Sequence, residues 1–106
     1  MSEGRDIFRH VVLFRWQPGT SAAQVAALER VLAALPAEVP RIRAYRFGAD
    51  AQQTPGNFDF AIVADFDDVE AWRAYVAHPA HQKLVADHIR PLVAERAAMQ
   101  YRIEAK

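Results

Sequence analysis

Two segments of this chain are apolar on both faces of a strand, and this feature constrains the fold more than any other. Residues 8–16, FRHVVLFRW, are rich in β-branched and aromatic residues and are followed by a turn sequence, as is typical of a strand. Because side chains alternate along a strand, its even-numbered residues share one face and Val11 and Leu13 lie on the other. Residues 58–66, FDFAIVADF, repeat the pattern. A sheet built from such strands needs a cover on both of its faces.

Apolar residues at spacings of three and four predict three helices. A capping box at Ser21 begins the first helix, which we expect to end at Pro36. The acidic pair 67–68 can cap the second helix. Proline is tolerated in the first turn of a helix, so Pro79 is expected to begin the third. That helix carries an unbroken apolar stripe until Pro91 kinks or ends it.

Residues 41–50, with a strand end at Gly48, and residues 97–105 supply the two remaining strands. The order β-α-β-β-α-α-β predicts an α+β, ferredoxin-like fold: a four-stranded antiparallel sheet with helices on one face. We expect the other face to pack against a second copy, which makes the protein a homodimer. At 106 residues the chain is predicted to be a single domain over 1–106, with its core at about 8–103.

The charge balance and the missing residue types exclude several functions. Lys and Arg together number 13, as do Asp and Glu, so no excess charge attracts nucleic acid. The sequence has no apolar run of about 18 residues and no apolar run near its start. We therefore expect a cytoplasmic protein with no nucleic-acid or membrane partner. The absence of cysteine excludes disulfides, thiol nucleophiles and thiolate metal sites.

Histidine and tyrosine remain as the candidates for chemistry. His10 stands among apolar residues of the first strand, where a ring is costly unless its nitrogens are hydrogen-bonded. It is either a satisfied core histidine or a histidine that faces a cavity. In the segment YVAHPAHQKL, residues 75–84, a neutral His81 and the phenol of Tyr75 can act as a general base and an oxygen-stabilising donor. Both residues also fit their helices as ordinary packing residues.

Metal binding is not expected of these histidines. His81 and His88 stand about two helical turns apart, which separates their rings by roughly 10 Å along the axis. His78 is nearer to His81, but Pro79 distorts the turn between them, and no metal-ligand motif is present. His88 is interpreted as structural.

Three segments resemble the stress-responsive dimeric α+β barrel family, called Dabb. They are HVVLFRW, GNFDFAIVADFDDVEAWRAYVAHPAHQKLV and IRPLVAERAAMQY, and the resemblance covers residues 8–103. It depends on a first-strand His, an F-x-F-x-x-x-x-F strand and the motif Y-x-x-H-P-x-H. The resemblance implies a ferredoxin-like fold whose sheets pair into a dimeric barrel, with a pocket between each sheet and its helices.

The resemblance also implies candidate catalytic residues. In a plant polyketide cyclase of the family, the Tyr and second His of the motif carry an aldol cyclisation beside a first-strand His. By motif match these are Tyr75, His81 and His10. The chain departs from that enzyme at Phe60, where the cyclase has a further pocket His, and at Leu32, where it has a Tyr, so the pocket is expected to differ.

Some relatives hold a cation with backbone carbonyls after the first helix, which implies a possible cation near Pro36, Val39 and Ile42 but no required cofactor. Three functions stay open. One is a stress-associated homodimer that binds an apolar or phenolic small molecule without turnover. The second is a cyclase or lyase that uses His81 as its base, with Tyr75 and His10. The third is a structural assembly protein.

Overall fold

A four-stranded antiparallel sheet with strand order β2-β3-β1-β4 organises the fold. A computed structural model describes residues 5–105; residues 1–4 and 106 of the expected domain lie outside them. The expected α+β, ferredoxin-like fold is confirmed. In chain order the elements are β1 (Ile7–Trp16), α1 (Ala22–Glu38), β2 (Ala44–Ala49), β3 (Phe60–Phe66), α2 (Val69–Ala77), α3 (Pro79–Leu84), a π-helical turn (Val85–Ile89) and β4 (Val93–Ile103).

The helices pack on the sheet face that carries the even-numbered residues of β1. His10 pairs with Ala64 of β3 on one side and with Gln100 of β4 on the other, so these three residues point toward the helices. The buried core fills the space between sheet and helices. Its fully buried, largest side chains are Phe60, Phe66, Leu28, Leu32 and Val39.

The expected capping box of α1 is confirmed. The Gln24 N–H donates to Ser21 Oγ at 3.1 Å, and the Ser21 N–H donates to Gln24 Oε1 at 2.8 Å. The expected end at Pro36 is wrong, because the helix continues to Glu38. Proline removes only one backbone donor, and this near the end of a long helix, where the Val39 N–H still bonds Leu35 O at 3.1 Å.

A capped break separates α2 from α3 at the expected place. Asp68 of the acidic pair accepts the Ala71 N–H at 2.8 Å and begins α2. His78 is extended (φ −65°, ψ 133°), and its Nδ1 accepts the Ala80 N–H at 3.0 Å, so it caps α3 with Pro79 in the first turn. His78 is thus occupied by a local structural role.

The unbroken helical stripe expected after Pro79 is wrong. α3 ends at Leu84, and the chain widens into the π turn, closed by a bond of 2.9 Å from the Arg90 N–H to Val85 O. β4 then begins at Val93, four residues before its expected start. Pairing with the full length of β1, down to Trp16 opposite Val93, draws these residues into the sheet.

The first residues of the expected third strand are also irregular. β3 begins at Phe60, and the ring of Phe58 instead lies 4.3 Å from the Arg15 guanidinium carbon. Such a cation–π contact stabilises a half-buried corner without the strand pairing that was expected.

The sheet's second face is not covered by helices. We call it the open face; it carries Val11, Leu13, Val63, Met99 and Tyr101. Met99 is 57% exposed and Tyr101 42% exposed. Within residues 5–105, no helix has the length and apolar character needed to cross a membrane.

Candidate active-site cleft

A cleft of about 490 Å³ lies between the helix-covered face of the sheet and the segment from α2 to the π turn. This volume is within the range of small-molecule sites. The lining residues are His10, Val12, Phe14, Ile62, Trp72, Tyr75, Val76, His81, Val85, Ile89, Arg90, Val93 and Arg96. A second cavity of about 490 Å³ near loop 50–57 has Asp50 as its one ionisable lining residue, so the chemistry favours the first cleft.

His10 is 6% exposed and has one ring nitrogen fixed by a neighbour. Its Nδ1 lies 2.9 Å from Gln100 Nε2 on the paired strand. An amide nitrogen only donates, so Nδ1 accepts and the neutral ring carries its proton on Nε2. Burial, with smaller contributions from the charges of Arg96 and His81, lowers the pKa of His10 to about 4. His10 is therefore a neutral N–H donor at neutral pH.

His81 has the opposite arrangement of its ring proton. Its Nδ1 lies 3.3 Å from the carbonyl oxygen of Val76 in α2. A carbonyl only accepts, so Nδ1 carries the proton and Nε2 keeps the lone pair. Burial lowers the pKa of His81, the Val76 carbonyl opposes this, and the charges of Arg96 and His78 lower it further. His81 is thus a neutral base at neutral pH.

Tyr75 connects the two histidines. It is 3% exposed, and its ring centroid lies 4.2 Å from that of His81 and 6.3 Å from that of His10. Its hydroxyl oxygen lies 3.0 Å from that of Tyr45 on β2. Burial raises the pKa of both phenols, so both keep their protons. If Tyr45 is the donor of the pair, the Tyr75 proton is free for a ligand oxygen.

The structure brings together the three residues singled out from the sequence, and all three line the cleft. Together they offer a lone pair at His81, an N–H at His10 and, when Tyr45 donates to Tyr75, the O–H of Tyr75. A base beside donors is the arrangement that removes a proton and stabilises the charge left on an oxygen. Phe60 and Leu32, the positions at which the chain departs from the cyclase, are buried core residues that do not line the cleft.

Sequence reasoning missed Tyr45, Gln100, Arg90 and Arg96. Three of them occupy alternate strand positions: Tyr45 pairs with Ala64, while Gln100 and Arg96 pair with His10 and Phe14. Once His10 was placed on the covered face, the strand register could have identified these three polar side chains. Arg90 had no such signal, since its place depends on the π turn.

One donor in the cleft wall has no protein partner. Trp72 lies with its ring centroid 5.8 Å from that of His10, and its indole Nε1 is buried without a hydrogen-bond partner among the described residues. Leaving a buried donor unbonded costs about 1–3 kcal/mol. This wall is therefore not optimised for stability alone.

Metal ligands do not cluster in the described part of the chain: residues 5–105 contain no group of three His, Asp or Glu placed to hold an ion. His88 lines a different cavity, between α1 and α3. Of the three carbonyl residues implied for a cation, Pro36 lies in the last turn of α1, and Val39 O accepts the Ile42 N–H at 3.4 Å. The cation stays a prediction.

Comparisons with known proteins agree with this fold. A crystal structure of a dimeric ferredoxin-like protein of unknown function from Thermobifida fusca is 40% identical with a TM-score of 0.86, covering 93% of this chain and 92% of that one. A hydroxynitrile lyase from Passiflora edulis has a TM-score of 0.81 at 20% identity, covering 92% and 94%.

Sequence comparison gives the family. An uncharacterized protein of Streptomyces coelicolor is 34% identical over 82 residues, which are 76% of this chain and 84% of that protein. The model of the stress responsive A/B barrel domain, Dabb, matches residues 8–103. The match spans every helix and strand described above except Ile7, the first residue of β1, and the chain belongs to the Dabb family.

Proposed function

We propose that this Dabb protein is a homodimeric acid–base enzyme that transfers a proton in a small, mainly apolar molecule bearing a carbonyl or hydroxyl oxygen. The observation that carries the proposal is the opposite hydrogen bonding of two neutral histidines in one cleft. His81 Nδ1 lies 3.3 Å from a carbonyl and His10 Nδ1 lies 2.9 Å from an amide nitrogen. One ring is left with a lone pair and the other with an N–H.

The reaction follows from these assignments. His81 Nε2 takes a proton from the carbon next to a carbonyl, and the electron pair of the broken C–H bond moves onto the carbonyl oxygen as an enolate. The hydroxyl of Tyr75 and the Nε2–H of His10 stabilise that oxygen. The enolate carbon then attacks a second carbonyl, as in a cyclisation, and the imidazolium returns its proton to the alkoxide oxygen that forms. Without a second carbonyl, the enolate takes the same proton back at another atom.

The same groups can remove a proton from a hydroxyl, the first step in cleaving a cyanohydrin. The Passiflora edulis neighbour is a hydroxynitrile lyase, and its likeness to this chain is one of fold. Both reactions need a neutral imidazole at His81, because only the neutral form accepts a proton. The apolar surroundings of the cleft favour this form.

The homodimer is supported by the open face and by the dimeric Thermobifida fusca protein, which is 40% identical. The centre of this face holds Val11, Leu13 and Val63, with Met99 57% exposed. Apolar patches of this kind mark interfaces, and a second copy meets it most simply through a two-fold axis. A light-scattering mass of two chains would support the dimer, and a larger one the assembly alternative.

The test is hydrogen–deuterium exchange at the benzylic carbon of phenylacetone and phenylpyruvate in D₂O, followed by proton NMR. We expect the wild type to accelerate exchange above buffer and His81→Ala to lose at least about a hundredfold of that acceleration. His88→Ala is the matched control, because His88 lies outside the cleft, and it should keep the wild-type rate.

Two outcomes contradict the enzyme. Equal exchange in the wild type and His81→Ala removes the base from its role. Binding of the ketones without exchange in the wild type makes the protein a small-molecule carrier, which is the alternative without turnover.

A further inference from the structure

Two arginines line the cleft, and no carboxylate accompanies them. Arg90 follows the π turn, and Arg96 lies on β4 opposite Phe14. Among the residues that line the cleft there is no Asp or Glu. With both histidines neutral, the described lining carries two positive charges. A surface of one sign of charge with low-dielectric walls attracts the opposite charge.

Arginines in the rest of the described chain are either paired with acids or lie outside the cleft, as Arg30, Arg46 and Arg102 do. Five others, Arg9, Arg15, Arg41, Arg43 and Arg73, form ion pairs with Asp or Glu. Arg90 and Arg96 form none with any residue from 5 to 105. Neither guanidinium group donates a hydrogen bond to a residue between 5 and 105, so the described neighbours leave these donors to a ligand.

The charge of Arg96 reaches the reacting groups. It lowers the pKa of His10, Tyr75 and His81, in each case as a smaller effect beside burial. A charge close enough to act on all three side chains is close enough to act on a ligand lying among them. The apolar half of the cleft, with Phe14, Ile62 and Val85 among its members, would then enclose an uncharged body.

Arg90 stands where the cleft opens outward. It lines the main cleft and also an adjoining groove of about 520 Å³. The two cavities share Val76, His81, Val85 and Arg90. A ligand in this groove meets Arg90 and His81 together, whereas Arg96 lines the main cleft alone.

We propose that the ligand of the cleft is a small organic acid with an apolar or aromatic body, whose carboxylate is held by Arg96 and attracted at the entrance by Arg90. A guanidinium matches a carboxylate with two parallel hydrogen bonds, which fixes orientation as well as position. The substrate's acidic carbon then lies beside His81. This inference rests on the proposed function for the reaction, while the charge preference can be measured without it.

The test is calorimetric titration with 3-phenylpropanoate and 3-phenylpropanamide, which have nearly the same shape and differ in charge. We expect the wild type to bind the carboxylate at least about tenfold more tightly than the amide. Arg96→Gln should remove most of that preference and Arg90→Gln part of it. Added salt should weaken binding of the carboxylate and leave the amide unchanged, because the guanidinium groups are exposed.

Arg30→Gln is the matched control. Arg30 is an exposed residue of α1 outside the cleft lining, so its variant loses the same charge and should keep the wild-type preference. Equal binding of the two ligands, binding of neither, or an equal loss of preference in Arg30→Gln overturns the proposal. The two proposals fail separately. If ketone exchange depends on His81 but the carboxylate is not preferred, the proposed enzyme is supported and the organic-acid ligand is rejected. If the carboxylate is preferred but no exchange occurs, the cleft is an organic-acid binding site without the proposed reaction.

Discussion

The two sides of the sheet differ in how completely their buried polar side chains are hydrogen-bonded. On the open face, Arg9 and Asp65 form two parallel bonds, Nε–Oδ1 at 2.7 Å and an amino nitrogen to Oδ2 at 2.8 Å. On the covered side, His10 of β1 and His81 of α3 are neutral, and each has one ring nitrogen without a protein partner in the described residues.

This difference separates structural groups from reactive ones. A charged pair with both oxygens bonded has little capacity left for a ligand, and its value lies in fixing the strands. A neutral ring that still has a lone pair or an N–H facing a cavity is incomplete without a ligand. Burial alone does not distinguish the two faces, since Asp65 is 8% exposed and His10 6% exposed.

The largest expected effect is the loss of an aromatic ring from the covered face. Phe66→Ala should lower the free energy of unfolding by about 3–5 kcal/mol, because Phe66 is fully buried against Tyr75. Urea denaturation measures it. Phe58→Ala is the control from the chain's half-buried corner and should cost no more than about 1 kcal/mol. Similar costs for both would mean that the covered face holds no distinct core.

Acid should destabilise the covered face through His10. Its pKa is 6.5 when unfolded and about 4 when folded, so the unfolded chain binds the proton first. The contribution of neutral His10 to the free energy of unfolding is complete above pH 6.5 and is lost as the pH falls from 6.5 to about 4. It amounts to at most about 3 kcal/mol. Urea denaturation across this range should show a shallower pH dependence in His10→Gln than in the wild type. If the two slopes agree, His10 is not buried in its neutral form.

A charge on the open face should break the dimer and spare the fold. Val11→Asp places a carboxylate between Val63 and Met99, and we expect association to weaken at least about a hundredfold, or roughly 2.7 kcal/mol. Light scattering should report one chain instead of two. Ala23→Asp on the exposed surface of α1 is the control. A Val11→Asp protein that still weighs two chains places the interface elsewhere.

The smallest effect is the coupling between Arg9 and Asp65. A double-mutant cycle with Arg9→Gln and Asp65→Asn should give about 1 kcal/mol, since the pair is partly buried and bidentate. The exposed Arg73–Glu70 pair on α2 is the reference, with an expected coupling of about 0.3 kcal/mol. Equal coupling energies would mean that the Arg9–Asp65 pair stabilises the fold no more than the exposed Arg73–Glu70 pair does.

Much of this architecture could be predicted from the sequence because its signals are local. The alternation around His10, the capping box at Ser21 and the break at Pro79 each depend on a few neighbouring residues. The errors lie where distant contacts decide. Helix α1 continues past Pro36, and β4 begins at Val93 because β1 offers it a partner. Neither outcome can be read from the segment itself.

The candidate site divides in the same way. His10, Tyr75 and His81 were found because each breaks an apolar pattern or belongs to a recognisable motif. The hydrogen bonds that give the two histidines different roles could not be predicted from the sequence, because their partners lie on other elements. Gln100 of β4 bonds the His10 ring, and the Val76 carbonyl of α2 bonds the His81 ring. A sequence names the histidines, while the proton positions depend on the fold.

The π turn makes the composition of the cleft sensitive to chain length. A π turn contains one residue more than an α-helical turn, as the hydrogen bond from the Arg90 N–H to Val85 O, five residues earlier, shows. Deleting a single residue within 85–89 would close this turn to α-helical spacing and leave the segments on either side in their directions, because a π turn is one extra residue accommodated in an α-helix. The deletion would remove a residue from the part of the cleft wall that Val85 and Ile89 line, while His81 and Arg90 kept their places. Chain length in this segment therefore offers a way to alter the apolar wall of the cleft without replacing its basic groups.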